Sequence, residues 1–180
     1  MFLRIPKRAP SMAPVSTNSE QPLTERRAWD AFCETALEHA AHLMRDSGEI
    51  RAYVIGFGWN ADKRQPESSW HQTMGDLSGP QIAALARHVV REGARGVALV
   101  SELWVSTQPA DQPRRYKQAS ADPNRGEAIL AVLSHVEFGE EPHIAMVTRD
   151  PLRVTPWERR ADFVGNLFGL AGEPVGRARA

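Results

Sequence analysis

One cysteine, Cys33, and three lysines are all that this 180-residue chain has of either type, and no apolar run comes near the length of a membrane span. A single thiol excludes an internal disulfide and any multi-cysteine zinc site, and it fits a reducing compartment, so the cytoplasm is the expected location. Without ~18 consecutive apolar residues no transmembrane helix is expected, and no apolar core follows the charged start at Met1–Arg8, so no secretory signal is expected. Neither sign of charge is in excess: 22 Lys and Arg face 22 Asp and Glu. No global field therefore draws the chain to nucleic acid or to an anionic membrane, and any such contact has to come from a local patch. Of the basic residues 19 are Arg, a skew that a GC-rich genome produces through its codons, and a bacterial source is expected.

What is present organises into one domain. Residues 1–22, with four prolines and little apolar content, read as a tail in which Met12 offers an alternative start. A single α+β domain is expected over 23–172, followed by a short tail at 173–180. From Thr24 to Ser47 apolar residues recur at three- and four-residue steps, from Trp29 through Phe32, Cys33, Ala36, Leu37 and Ala40 to Met44, with Gly48 as the stop. That spacing predicts a long amphipathic helix. Tyr53, Ile55, Phe57 and Trp59 then alternate with small residues, which predicts a strand bulky on one face and nearly bare on the other. Residues 60–79 read as a long polar loop, and Ser78-Gly-Pro80 opens a second helix that stops at Gly93. A strand, a helix and a strand in succession predict a parallel, right-handed crossover onto the run Gly96–Ser106.

Two further apolar runs, Glu127–Phe138 and His143–Arg149, complete a meander, and Thr155-Pro-Trp-Glu158 has the form of a capping box opening a third helix to about Leu170. The expected architecture is a small mixed or antiparallel sheet of about four strands, with two or three helices mainly on one face.

Candidate chemistry gathers around Glu102. It shares a strand face with Ala98, Val100 and Trp104 while Leu99, Ser101 and Leu103 line the other, so the strand reads as central and the carboxylate needs a partner. An antiparallel return brings Arg125 and Glu127 roughly opposite it, with Asp122 on the rim. The four residues form either a small carboxylate/Arg site for acid–base chemistry or an ion pair that sets the hairpin register. Ser101-Glu102-Leu-Trp104 followed by Ser120-Ala-Asp122-Pro-Asn-Arg125-Gly-Glu127 resembles the S-E-x-W and S-x-D-P-x-R-x-E marks of an uncharacterised family of bacterial and phage proteins. The resemblance covers about fifty residues, implies the two strands, and transfers no catalytic role, since that family carries no assigned activity.

Other patterns have bland readings. Gly56-Phe-Gly58-Trp-Asn-Ala61 spells a dinucleotide fingerprint but no helix follows it, so no cofactor is expected. His39 and His42 lie three apart on the first helix without a matching pair on a second, so no metal is expected. His71 with Ser68, Ser69 and Asp76 lists the ingredients of a triad without an elbow to place the serine. Cys33 falls on the buried stripe. The residues expected to contact a ligand or partner are Trp104, Trp70 and His71, with Arg114 and Arg115 as a local basic cluster. The function expected is a non-catalytic binding or interaction domain, with a homodimer as the expected assembly; the alternative is a small hydrolase- or lyase-like enzyme centred on Glu102, Asp122, Arg125 and Glu127.

Overall fold

The structure, a computed structural model, describes residues 23–73, 79–106 and 121–160, the side chains of 68–73 and 79–80 excepted. Helix α1 (Glu25–Ser47) starts where the extended Thr24 accepts from the Arg27 amide, satisfying one of the free first-turn N–H groups. It ends at Gly48, whose φ of 72° lies in the left-handed region that a Cβ disfavours. Strand β1 (Tyr53–Asn60), strand β2 (Gln65–Thr73), helix α2 (Gly79–Arg91), and strands β3 (Gly96–Val105), β4 (Gly126–His135), β5 (Gly139–Arg149), β6 (Leu152–Val154) and β7 (Glu158–Arg159) follow. The protein is α+β: among the described residues two helices flank one seven-stranded sheet in the order β2-β1-β3-β4-β5-β6, with β7 also on the β5 edge.

Every pairing in this sheet is antiparallel, so of the two expected forms the antiparallel one is found, with seven strands rather than about four. The parallel crossover between β1 and β3 is not formed; Tyr53 lies opposite Val100 and Phe57 opposite Gly96 in an antiparallel register. The cause is β2, in residues expected as loop. Asn60 starts the reversal by accepting from the Lys63 amide at 2.9 Å and donating to Glu67 at 2.8 Å. The returning strand brings the chain back to the end where β1 began, α2 carries it across the sheet again, and β3 must then run against β1. The same hairpin leaves Gly56 to Asn60 as strand and Ala61 in the turn, not as the helix start a dinucleotide site needs.

The helices lie on opposite faces, not mainly on one. α2 packs Ala86, Val89 and Val90 against Val54, Val97, Leu99 and Val132. α1 packs Ala40 and Met44 against Tyr53, Val100, Ile129 and Ala131, and its first turns pack Trp29 and Ala36 against Phe57, Ala98 and Leu133. Neighbours along a strand point to opposite faces, so Val97 to Val100, all buried, demand a layer on each side. Each such valine withdrawn from water stabilises the fold by about 1.5–3 kcal/mol. The bare face of β1 is therefore the one α2 covers.

No third helix starts at Thr155. Its hydroxyl accepts from the Met146 amide at 2.9 Å and its own amide donates to Met146 O, so the capping group is taken by the β5 edge. Glu158 and Arg159 then pair with Ile144 and His143 as β7; residues 161–172 lie outside the described part. No described helix is long and apolar enough to cross a membrane.

Candidate functional site

The β3–β4 pairing puts Ile129 opposite Glu102 and Glu127 opposite Trp104. Glu102 and Glu127 are thus diagonal neighbours on the face that α1 covers, and Arg125 precedes the strand instead of standing opposite Glu102. The cation that meets both carboxylates is Arg149, at the end of β5. Its Nε donates to Glu127 Oε2 at 2.8 Å, its Nη2 donates to Glu127 Oε1 and lies 3.4 Å from Glu102 Oε1, and its Nη1 donates to the Gly48 carbonyl. Glu102 Oε2 accepts from the Ile50 amide at 3.2 Å. One guanidinium therefore ties the end of α1, the approach to β1, and strands β3, β4 and β5 together, and its charge also suits the carbonyl end of α1. Burial raises the Glu102 pKa, and the neighbouring Glu127 carboxylate adds to this, against the Ile50 amide and Arg149.

Asp122 and Arg125 form a second arrangement. The Asp122 carboxylate is buried, accepting from the Ser106 hydroxyl at 2.7 Å and from the Asn124 amide at 2.9 Å, while its carbonyl accepts from the Arg125 amide. The Ser106 hydroxyl and the Asn124 amide hold its pKa below the usual aspartate value. This closes a turn in front of β4 and ties it to the end of β3. Arg125 reaches back over Trp104, its guanidinium carbon 4.6 Å from the ring centroid. Trp104 is 44% exposed.

The four expected site residues thus fall into two pairs with different jobs. The carboxylates Glu102 and Glu127 are spanned by Arg149, and the Asp122 carboxylate is spent on a turn. None of the four lines the cavities of about 400 and 340 Å3 found among the described residues. Trp70 and His71 lie in β2, opposite Gly56 and Ile55; their side chains, like Arg114 and Arg115, lie outside what is described. His42 pairs with Asp46 at 3.0 Å, His39 packs edge-on against Tyr53, and no group of three metal-ligating side chains occurs among the described residues.

A third charged group went unsignalled in the sequence. His135 is fully buried, stacked on Phe138 with centroids 4.1 Å apart and packed against Trp29. Its Nδ1 accepts from the Glu137 amide at 3.1 Å, which places the ring proton on Nε2, 3.3 Å from Glu25 Oε1 but out of hydrogen-bonding geometry. Arg95 donates to the same Glu25 oxygen at 2.7 Å and to Glu137. Burial, with Arg95 and Arg26 acting the same way against Glu137, pushes the imidazole down to about 4. The imidazole is thus neutral inside an ionic cluster, and the Arg95 bridge from Glu25 to Glu137 holds the start of α1 to the sheet. Arg149 had a readable signal: alternation along His143, Ala145 and Val147 puts it on the face of Glu127 once the turn at Gly139 sets the β4–β5 register.

No family model, curated protein or solved structure matches the chain.

Proposed function

We propose that the chain is a non-catalytic binding module whose contact ground is the end of β3 and β4 where Trp104 and Arg125 lie. The observation that carries this reading is the stack of the Arg125 guanidinium on a tryptophan that is 44% exposed. Tryptophan and arginine are the side chains that most often anchor interfaces, and a ring already held by a cation loses little freedom on binding. The Asp122 turn and the Arg149 bridge stiffen the ground behind it. Arg114 and Arg115 are proposed for the same contact ground, Trp70 and His71, which lie on β2 level with the start of β3, for a separate one, and membership of the family whose two marks the chain resembles is proposed with them. The single cysteine and the arginine excess support a bacterial cytoplasm as its setting.

The partner in this reading is a second copy of the chain. Light scattering of the wild type is expected to give about twice 20.0 kDa, and of Trp104→Ala about 20.0 kDa. A wild-type mass of 20.0 kDa removes the second copy, and a Trp104→Ala mass equal to a dimeric wild type removes Trp104 from the interface.

A second reading, a hydrolase- or lyase-like site at Glu102, Asp122, Arg125 and Glu127, draws support from the raised Glu102 pKa alone. Stabilisation of the fold by Glu102→Gln would favour it, because a carboxylate retained at a cost to stability implies another use.

A further inference from the structure

Two rows of side chains cross β3, β4 and β5 on the face turned away from α1. Leu103, Ala128 and Met146 stand opposite one another in the first, and Ser101, Leu130 and Ile144 in the second. The next row, Leu99 with Val132 and Pro142, is where α2 begins to cover the sheet, and Leu130 touches its margin. α2 has 13 residues, ~20 Å of helix, and lies mainly on β1 and β3. α1 has 23 residues, ~35 Å, and meets β1 to β4 and β6 on the other face. The second face is thus covered over half its width, and no described helix lies over the first row.

These rows are nonetheless withdrawn from water. Ala128 is 0% and Ile144 9% exposed, and Leu103, Leu130 and Met146 are half-buried. A sheet that is apolar on both faces needs a layer on each. The chain leaves the described part at two points near these rows, after Ser106 and after Arg160. Residues 107–120 hold Pro109 and Pro113 and show no apolar repeat. Residues 161–170 set Phe163, Val164, Leu167 and Phe168 at the steps of one helix face and carry a single charge, Asp162, opposite it.

The point of departure fits the second segment. Glu158 of β7 stands opposite Ile144, and the Arg160 amide donates to the Pro142 carbonyl at 2.9 Å, so residue 161 begins at the outer side of β5. A helix of about ten residues from there is ~15 Å long, about three strand spacings, which reaches from β5 across β4 to β3. Gly165 and Gly169 make such a helix unstable alone in water, so its order depends on the sheet beneath it.

We propose that residues 161–170 dock as a helix on this half of the sheet, with Phe163, Val164, Leu167 and Phe168 against Leu103, Leu130, Ile144 and Met146. The segment is the layer that α2 leaves out, and it closes this face to other chains. Trp104 lies on the opposite face of β3, across from Glu127, so the docking is independent of the contact ground proposed there.

The experiment is amide hydrogen exchange of the full chain, read at residues 165–170 and in α1. In the wild type the amides at 165–170 are expected to exchange about tenfold or more slower than in a free chain, whether the protein is concentrated or dilute. Met146→Asp places a charge under the segment and should return those amides to the free-chain rate while α1 keeps its protection. Free-chain exchange in the wild type overturns the proposal, and so does protection that Met146→Asp leaves unchanged. Protection that vanishes on dilution assigns the cover to a second copy and overturns it too. If α1 also loses protection in Met146→Asp, Leu167→Asp and Asp162→Asn carry the comparison. A melting temperature lowered by about 5 °C or more in Leu167→Asp alone supports the docking, and equal melting of the two variants overturns it.

Discussion

Both carboxylate oxygens of Glu127 are held by one side chain, Arg149, through its Nε and Nη2. Glu127 is buried and Arg149 is half exposed, so the pair stands between the interior and the surface. Arg149→Gln leaves a buried carboxylate without its cation and is expected to cost about 1–3 kcal/mol, less than a fully buried pair because water reaches the guanidinium. Glu102→Gln, which keeps an acceptor for the Ile50 amide, is expected to stay within about 1 kcal/mol of the wild type. Chemical denaturation of both variants and their double checks this; strict additivity would mean that Arg149 and Glu102 do not share a network.

His135 makes stability depend on pH. Its folded pKa of about 4 lies below the ordinary 6.5, so the unfolded chain takes up a proton that the fold refuses. Stability from this group is full above about 6.5, falls as the pH drops towards about 4, and then levels, by about 3 kcal/mol in all. Thermal melts across that range should lose this slope in His135→Gln, and an unchanged slope would assign the dependence to other groups.

At Gly96 the start of α1 lies directly against the sheet. A Cβ there would lie 2.5 Å from Trp29 Cζ3 and 3.0 Å from the Ser134 carbonyl, and Trp29 is enclosed by Phe32, Phe57 and His135. Gly96→Ala is expected to destabilise by about 1–3 kcal/mol in urea denaturation. A loss within about 0.5 kcal/mol, the scatter of neutral surface changes, would mean that the helix end shifts freely.

Asp122→Ala removes the acceptor of the Asn124 amide and the partner of the Ser106 hydroxyl while leaving the Asp122 carbonyl on the Arg125 amide. Hydrogen exchange is expected to quicken at Asn124 and much less at Arg125. Equal quickening at both would mean that the whole turn depends on the carboxylate.

What could be read along the chain was local. The stripe from Trp29 to Met44 between Thr24 and Gly48 is a helix with both caps, because periodicity and capping act within a few residues. Gly96–Val105 is a central strand because its apolar run has no solvent face. β2 escaped because Gln65-Pro-Glu-Ser-Ser-Trp-His-Gln-Thr73 shows no apolar alternation in the sequence and reads as loop until β1 is there to pair with it. Thr155 misled for a related reason: its hydroxyl serves an amide wherever one is near, and β5 supplied Met146 before a helix could. At the candidate site, the need of Glu102 for a cation followed from its buried strand, whereas the identity of that cation did not.

The order of residues along this chain thus settled which segments form α1, α2, β1 and the three long strands of the meander, since each depends on side chains a few positions apart. Only the tertiary structure decided that β3 runs against β1, that the helices take opposite faces, and that Arg149 instead of Arg125 meets Glu102. Pairing register and the reach of a side chain across three strands depend on residues such as Gly48, Glu102, Glu127 and Arg149. These lie up to 101 positions apart, and the backbone has to close before their distances exist.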